Sequence, residues 1–411
     1  FTVIAVCLPV AWFWLLPSDA RDFSASLVAV ALFSSNVLFW LQSGYFDAAA
    51  ELRPLLHTWS LAVEEQFYLL FPLLVMALCG RRRRWLVPVL VVLAAVSLAA
   101  AQWGSRSWPS ANFFLLPSRA WELLLGALAA IHLMRGPAAP PRWLAESGSL
   151  LGLGLIGWAI ARFDGDTPFP SLFALVPTIG TLLIILLATP ATLVGRLLGH
   201  RWPVGIGLIS YSAYLWHQPL FAFARHRETG APDATVYLGL SVLTLLLAWL
   251  SWRFVELPFR DRQRIGRAAV FRMAVLGSAA CIAVGLVGFL SGGAAGWTAE
   301  RTRLHQLEQR LAPVHGLDKS CRGFTTAPAC RTGDVPQVLV WGDSYAMHLV
   351  PGVQAVRPDL AVAQMTKSVC GPFLGMAPVN ARYTVADAAD CLRHNDAVID
   401  WLQRNPSVRL V

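Results

Sequence analysis

The sequence predicts a polytopic α-helical membrane bundle followed by part of an α/β domain. Of the 411 residues, 56% are hydrophobic and only 14% are charged, whereas about 25% of residues are charged in a soluble protein. Long apolar runs recur throughout residues 1–291. From Val335 onwards the pattern changes to a buried strand, a tight turn and the start of a helix, which is how an α/β domain opens.

The apolar runs predict about nine or ten hydrophobic segments. A helix needs about 20 residues to cross about 30 Å of hydrocarbon. Some candidates are shorter or contain proline, which is tolerated where neighbouring helices satisfy the freed backbone groups. The candidates lie near residues 1–17, 24–42, 56–79, 85–103, 115–134, 147–162, 171–189, 204–224, 234–256 and 270–291. We assign residues 1–291 to one membrane domain.

Arginine clusters after every second segment predict the orientation of this domain. They lie at residues 81–84, 135 with 142, 196 with 201, and 260–267. Because cytoplasmic loops are enriched in Lys and Arg, we expect these clusters in the cytoplasm and residues 292–411 outside it. Basic clusters confined to short loops do not indicate nucleic-acid binding, although the net charge is +9.

Residues 292–334 are predicted to form a linker with a disulfide loop, and residues 335–411 to form the α/β domain. Four cysteines in these two regions allow three disulfide connectivities. Local loop closure favours Cys321 with Cys330 and Cys370 with Cys391. A metal site is the alternative, but without a short CxxC pair we expect disulfides in an oxidising compartment, and no metal.

Polar side chains within the apolar stretch 52–74 mark a first candidate site. If this stretch is helical, His57, Glu64 and Tyr68 lie on one face. A base, a carboxylate and a phenol along one stripe suit proton transfer. The alternative is a polar cluster that only packs helices together. Several polar groups within one short span favour function, because hydrocarbon penalises each of them.

Further candidates lie in two other apolar segments. Arg119 and Glu122 share a helix face, where they form either an intramembrane ion pair or a phosphate-binding group. Tyr214 and His217 are either packing residues or substrate-binding residues. Outside these segments, Glu256 and Arg260 have the i, i+4 spacing of a pair that stabilises a helix end.

A second candidate site follows the hydrophobic strand at residues 338–341. The residues Gly342, Asp343 and Ser344 occupy the predicted strand-to-helix turn. A serine on such a turn is exposed at the carboxyl edge of the sheet, and the N–H groups of the turn can stabilise an oxyanion. Ser344 is therefore the candidate nucleophile, with Gly342 and Ser344 as the oxyanion site.

Four stretches together are more specific than any single motif. They are HTWSLAVEEQFYLLFPLL from His57, SRAWELLLGALAA from Ser118, ISYSAYLWHQPLF from Ile209 with WRFVELPFR from Trp252, and VLVWGDSYAMHL from Val338. In this order they resemble the membrane acyltransferase family 3 fused to an SGNH hydrolase-like domain. The resemblance covers nearly the whole chain.

This resemblance implies an O-acyltransferase of the bacterial inner membrane with its SGNH-like domain in the periplasm. The acyl group, usually acetyl, would pass from a cytoplasmic acyl-CoA co-substrate to hydroxyls of an envelope glycan such as O-antigen, with no bound cofactor. His57 and Glu64 would assist the chemistry, Ser344 would receive the acyl group, and substrate would be bound by Arg119, Glu122, Tyr68, Tyr214 and His217.

The resemblance also predicts that both ends are truncated. The family's proposed catalytic histidine lies on an earlier helix, so we expect His57 to support the donor site. The D-x-x-H block that activates an SGNH serine is expected beyond residue 411. A basic cytoplasmic segment precedes the first run in the family, so either residues 24–42 or residues 52–79 are expected to be re-entrant.

Two other functions remain open. A periplasmic esterase with a passive membrane anchor would not need intramembrane His, Glu and Arg side chains. A transporter that only carries acyl groups across the bilayer would also place polar residues on broken helices, so the sequence does not separate it from a transferase.

Overall fold

The computed structural model describes residues 1–43, 50–78, 83–165, 167–228, 233–261, 263–311, 314–379 and 383–411. The chain divides into two compact units, Phe1–Glu308 and Gln309–Val411, and each is described by itself. The first unit is built from α-helices. They are α1 (Thr2–Trp14), α2 (Pro17–Ala31), α3 (Ser35–Leu41), α4 (Thr58–Leu78), α5 (Leu86–Ser107), α6 (Pro109–Phe114), α7 (Leu116–Met134), α8 (Arg142–Arg162), α9 (Leu175–Leu187), α10 (Leu193–Leu198), α11 (Arg201–Arg225), α12 (Ala234–Ser251), α13 (Leu257–Arg260), α14 (Arg267–Leu290) and α15 (Ala299–Leu311).

The prediction of a multi-pass helical membrane domain is confirmed. Within the described residues, six helical stretches are long and apolar enough to cross a membrane, and two further apolar helices are shorter. The long ones are Thr58–Leu78, Leu86–Ser107, Pro109–Met134, Arg142–Arg162, Ala234–Arg260 and Arg267–Leu290. The predicted run at 204–224 forms most of α11, which packs along α12. Part of the arginine cluster at 81–84 and Cys79 lie outside the described residues.

The predicted segment 24–42 is a helical hairpin rather than one helix. Helix α2 ends at Ala31, Phe33 takes a left-handed φ of 51°, and the chain reverses into α3. Arg53 donates two hydrogen bonds to Gln42, just after α3, at 2.5 and 2.9 Å. Gln42 and Arg53 line the same small pocket as Asp19, which lies in the first turn of α2. The end of α3 therefore lies beside the start of α2.

The tip of this hairpin lies beside the middle of α14. Residues at the tip and Ser278 of α14 line the same cavity. By contrast, α4 is a continuous apolar helix of 21 residues. The reversal within residues 24–42 and the continuous helix at Thr58–Leu78 favour 24–42 as the re-entrant segment, which stays a prediction.

Small residues permit the close packing of helices in the first unit. A Cβ at Gly285 of α14 would lie 2.7 Å from the carbonyl oxygen of Ser24 in α2. Similarly, Gly152 of α8 faces Gly180 of α9, and a Cβ on either would lie 2.6–2.7 Å from the carbonyl oxygen of the other. Close backbone approach of this kind is a main source of helix association in membranes, where lipid is as apolar as leucine.

The second unit contains the strand, turn and helix predicted from Val335 onwards. Its elements are β1 (Val338–Gly342), α16 (Ser344–Val356), β2 (Val362–Thr366) and α17 (Val385–Arg404). β1 and β2 are parallel and pair Val338 with Val362 and Gly342 with Thr366. A core of apolar side chains from both strands and α17 is centred on Leu339, Ala363, Met365 and Val398.

The chain before β1 covers the free edge of β2. The N–H groups of Gly323 and Thr332 donate to the carbonyls of Thr366 and Val362 at 2.7 and 2.8 Å. Both predicted disulfides, Cys321–Cys330 and Cys370–Cys391, are formed. The unit boundary at Glu308 falls within the predicted linker 292–334, so most of α15 belongs to the first unit.

Candidate active site

A cavity of about 430 Å³ lies inside the first unit. Its wall is formed by the start of α1, the tip of the α2–α3 hairpin, the start of α4, the middle of α11 and α14, and the turn after α12. The polar side chains that line it include His57, Glu65, Tyr211, Ser212 and Glu256. A mostly apolar cavity with a few convergent polar groups is the usual form of a small-molecule site.

His57 is the predicted site residue that lines this cavity. It lies in the turn before α4, which begins at Thr58, and not on the helix itself as the spacing suggested. The side chain is buried at 6% exposure and lines the cavity. Because it lines the cavity, this imidazole can contact a ligand bound there.

Tyr214 and His217 of α11 surround His57. The Tyr214 hydroxyl donates to the backbone carbonyl of His57 and shares a 2.6 Å hydrogen bond with the Ser60 hydroxyl. The ring centroids of Tyr214 and His217 lie 5.3 and 5.7 Å from that of His57. His217 Nδ1 lies 2.7 Å from the Tyr214 carbonyl, which only accepts, so Nδ1 carries the proton. The structure thus brings three predicted residues together.

The two adjacent glutamates of α4 differ in position. Glu65 lines the cavity, and Glu64, the residue predicted to be catalytic, is not part of the wall. The sequence predicted Glu64 rather than Glu65 as the site carboxylate, because the start and rotation of α4 are decided by its packing. Two adjacent glutamates in an apolar helix were the feature of the sequence that could have pointed to Glu65 as well.

Glu256 forms a second carboxylate in the wall. The predicted ion pair with Arg260 is present, and the Ser212 hydroxyl also donates to Glu256 Oε2 at 3.1 Å. Glu256 belongs to a π-helical turn, Trp252–Glu256, between α12 and α13. Such turns often occur at functional sites because they redirect side chains. Sequence analysis assigned Glu256 only to a helix end and missed its place beside the cavity.

None of the five predicted substrate-binding residues lines this cavity: Tyr214 and His217 pack beside His57, and the other three are Arg119, Glu122 and Tyr68. Arg119 pairs with Glu122 at 3.2 Å, and its guanidinium lies 4.5–5.0 Å from the ring centroids of three aromatic residues. These rings belong to Trp59, Phe113 and Phe169. Tyr68 is 55% exposed on the outer surface of α4. The structure therefore leaves Arg119, Glu122 and Tyr68 outside the cavity that His57 lines.

Ser344 lies in the second unit at the carboxyl end of β1, as predicted, but its side chain is buried at 8% exposure and not exposed as the turn suggested. Gly342 has φ 155°, and a Cβ there would lie 2.9 Å from that of Ala346. Asp343 caps α16 by accepting from the N–H of Tyr345 at 2.9 Å. This leaves Ser344 as the first residue of α16, beside the N–H groups of a helix N-terminus that can stabilise an oxyanion. In the described part of the chain, no group of three His, Cys, Asp or Glu residues is placed to hold a metal ion.

Comparison with known proteins identifies the family of both units. The family model described as "Acyltransferase domain" matches residues 2–253, and the model described as "SGNH domain (fused to AT3 domains)" matches residues 315–411. The "Putative membrane-bound transacylase BcsY" of Komagataeibacter xylinus is 30% identical over 284 residues, which cover 67% of this chain and 69% of that protein.

The O-acetyltransferase OatA of Staphylococcus aureus is 32% identical over 252 residues. The match covers 57% of this chain and 41% of OatA, so the chain matches less than half of that relative. No solved structure matches the chain. The chain belongs to the acyltransferase family 3, carries the SGNH domain that is fused to such acyltransferases, and is a multi-pass membrane O-acyltransferase.

Proposed function

We propose that the protein transfers an acyl group, acetyl in the first instance, from a cytoplasmic acyl-CoA to hydroxyls of an envelope glycan such as O-antigen. The observation that carries this proposal is the buried imidazole of His57 in the wall of the cavity. A transacylase and an O-acetyltransferase among the relatives support the same reaction class.

His57 suits a supporting role in the chemistry. A hydroxyl is a poor nucleophile until a base takes its proton, and a positioned imidazole can act as that base or hold the proton in transit. As the oxygen attacks the thioester carbonyl, the C–S bond breaks, and the CoA sulfur leaves and takes up a proton. Glu65 and Glu256 are the carboxylates in the cavity wall that His57 shares.

The acyl-CoA is proposed to approach from the end of the unit with the arginine-rich loop 260–267. The carboxylates of Glu65 and Glu256 disfavour phosphate groups inside the cavity. Arginines outside it, including Arg264 and Arg267, are suited to phosphate. Only the uncharged arm and its thioester would then reach His57. The prediction that Arg119 contacts the CoA phosphates stays open.

The two sides of the membrane require a relay. The donor is proposed to be cytoplasmic and the glycan periplasmic, with the protein in the inner membrane and the second unit in the periplasm. Two disulfides in that unit support an oxidising compartment. A serine ester on Ser344 would hold the acyl group between the thioester and the sugar hydroxyl.

The proposal is tested by transfer of labelled acetyl groups from acetyl-CoA to glycan in membranes containing the native protein. We expect His57→Ala to lower the transfer rate by about a hundredfold or more, the usual contribution of such a group, at unchanged abundance. His132→Ala, an exposed histidine at the end of α7, is the matched control. Normal transfer by His57→Ala would rule out the proposed role, and loss of the protein itself would indicate a packing role.

A further inference from the structure

Polar side chains along one face of α11 bind the irregular chain that leads into α4. The Tyr214 hydroxyl donates to the backbone carbonyl of His57. One helical turn later, Gln218 Nε2 donates to the carbonyl of Arg53 at 3.0 Å. Both side chains therefore contact the backbone of residues 51–57, which we call the entry segment.

Two further residues at the end of α11 extend this contact. His226 Nε2 lies 2.9 Å from the carbonyl of Leu52, which only accepts, so Nε2 is the donor. Arg225 pairs with the Glu51 carboxylate at 3.3 Å and reaches its backbone carbonyl at 3.5 Å. The entry segment is thus held at both ends by α11.

These bonds have a physical role beyond packing. The entry segment is not part of a regular α-helix, and turn bonds satisfy only some of its carbonyls, such as that of Arg53, which accepts from the N–H of Leu56 at 3.1 Å. Within a membrane, irregular backbone is stable only where protein groups satisfy it. Because the Tyr214 hydroxyl of α11 donates to the carbonyl of His57, the conformation of the chain at His57 depends on α11.

We propose that Tyr214 and Gln218 are positioning residues that set the imidazole of His57 in the cavity. This inference rests on the proposed function of His57. Tyr214 holds the carbonyl of His57 while its ring lies against the imidazole with that of His217. Loss of the Tyr214 hydroxyl frees the carbonyl and lets the imidazole shift. A displacement of about 1 Å can lower a rate by about a hundredfold.

The first measurement separates positioning from substrate binding. We expect Tyr214→Phe to lower kcat by about tenfold or more, with the KM for acetyl-CoA changed by less than about twofold, because the displaced group acts on the chemical step. Tyr237→Phe removes a hydroxyl from α12 and is the matched control. Ser60→Ala removes only the other partner of the Tyr214 hydroxyl and should have little effect. Gln218→Met should lower kcat in the same way as Tyr214→Phe, by a smaller factor.

The second measurement is a double-mutant cycle with His57→Ala. If Tyr214 acts through His57, adding Tyr214→Phe to His57→Ala lowers the rate no further. A further decrease in the double variant, or normal kcat in Tyr214→Phe at normal abundance, would refute the positioning role. Full activity of His57→Ala would instead refute the proposed function, so the two failures are distinguishable.

Discussion

The guanidinium of Arg301 donates from Nη1 to the backbone carbonyl of Trp12 at 2.8 Å. Its Nε and Nη2 donate to the carbonyl of Gly293 at 3.2 and 2.7 Å, and the side chain is buried. One arginine of α15 thereby donates hydrogen bonds to a carbonyl near the end of α1 and to a carbonyl in the turn after α14. Glu308 accepts from the hydroxyl of Ser18 at 2.5 Å and adds a second contact of α15 with the membrane unit.

Replacing Arg301 should loosen this end of the membrane unit. Arg301→Met leaves buried carbonyls without donors, and each unsatisfied group costs about 1–3 kcal/mol. We expect chymotrypsin to cleave at the exposed Trp297 about tenfold faster or more in the variant, because about 1.4 kcal/mol corresponds to a factor of ten in local opening. Arg303→Met, on the exposed face of α15, should be cleaved at the native rate. Equal rates for both variants would show that the three bonds do not stabilise α15.

The two glutamates of α4 should differ in their effect on transfer. We expect Glu65→Gln to lower the rate by about tenfold or more, since this carboxylate lines the cavity with His57. Glu64→Gln should have the smaller effect at equal abundance. Initial rates of acetyl transfer in membranes measure the difference. A larger loss of rate in Glu64→Gln than in Glu65→Gln would support Glu64 as the catalytic carboxylate, as the sequence predicted. The reacting groups would then lie outside this cavity.

Ser344 is expected to receive the acyl group. In the native protein, Ser344→Ala should lower transfer to the glycan strongly while acetyl-CoA binding persists, because the serine ester acts only after the donor step. A fluorophosphonate probe should label the native protein and not this variant. Ser368→Ala, in the loop after β2, is the control for fold. Normal transfer by Ser344→Ala would show that an ester on Ser344 is not an intermediate of the reaction.

The orientation of the protein can be measured by cysteine accessibility in intact cells. Asp334 has a 95% exposed side chain, and Arg264 has a 72% exposed side chain. In a variant without other free cysteines, we expect Asp334→Cys to react with an impermeant thiol reagent and Arg264→Cys to stay unreacted, as the arginine clusters predict. Labelling of Arg264→Cys from outside would show that the protein has the opposite orientation in the membrane.

The second unit should lose stability in acid. His394 of α17 is buried, and its pKa is lowered, because burial disfavours the imidazolium and Lys367 adds repulsion. The unfolded chain then binds a proton more readily than the folded unit, so the stability falls as the pH drops below about 6.5, the unfolded pKa. Pulse proteolysis at about pH 7.5 and about pH 5 measures this loss. In His394→Gln the difference between the two pH values should be smaller.

Local patterns in the sequence determined several parts of this structure. The strand, the glycine and the serine at Val338–Ser344 are neighbours in the chain, so a strand-to-helix turn could be predicted without knowing the rest of the fold. The two disulfides each close a short loop. Long apolar runs identified the membrane domain, because the bilayer demands helices of a minimum length.

The tertiary structure alone decided which polar groups meet. In a membrane helix, lipid-facing and protein-facing surfaces are both apolar, so periodicity does not reveal which side of α4 carries the site. The start of α4 at Thr58, the position of Glu65 on the cavity wall and the position of Arg119 outside it follow from packing. The reversal at Phe33 was likewise hidden, because a hairpin and a spanning helix can have the same apolar composition. The carbonyls of the entry segment find donors about 160 or more residues away, on a helix that only folding brings beside them.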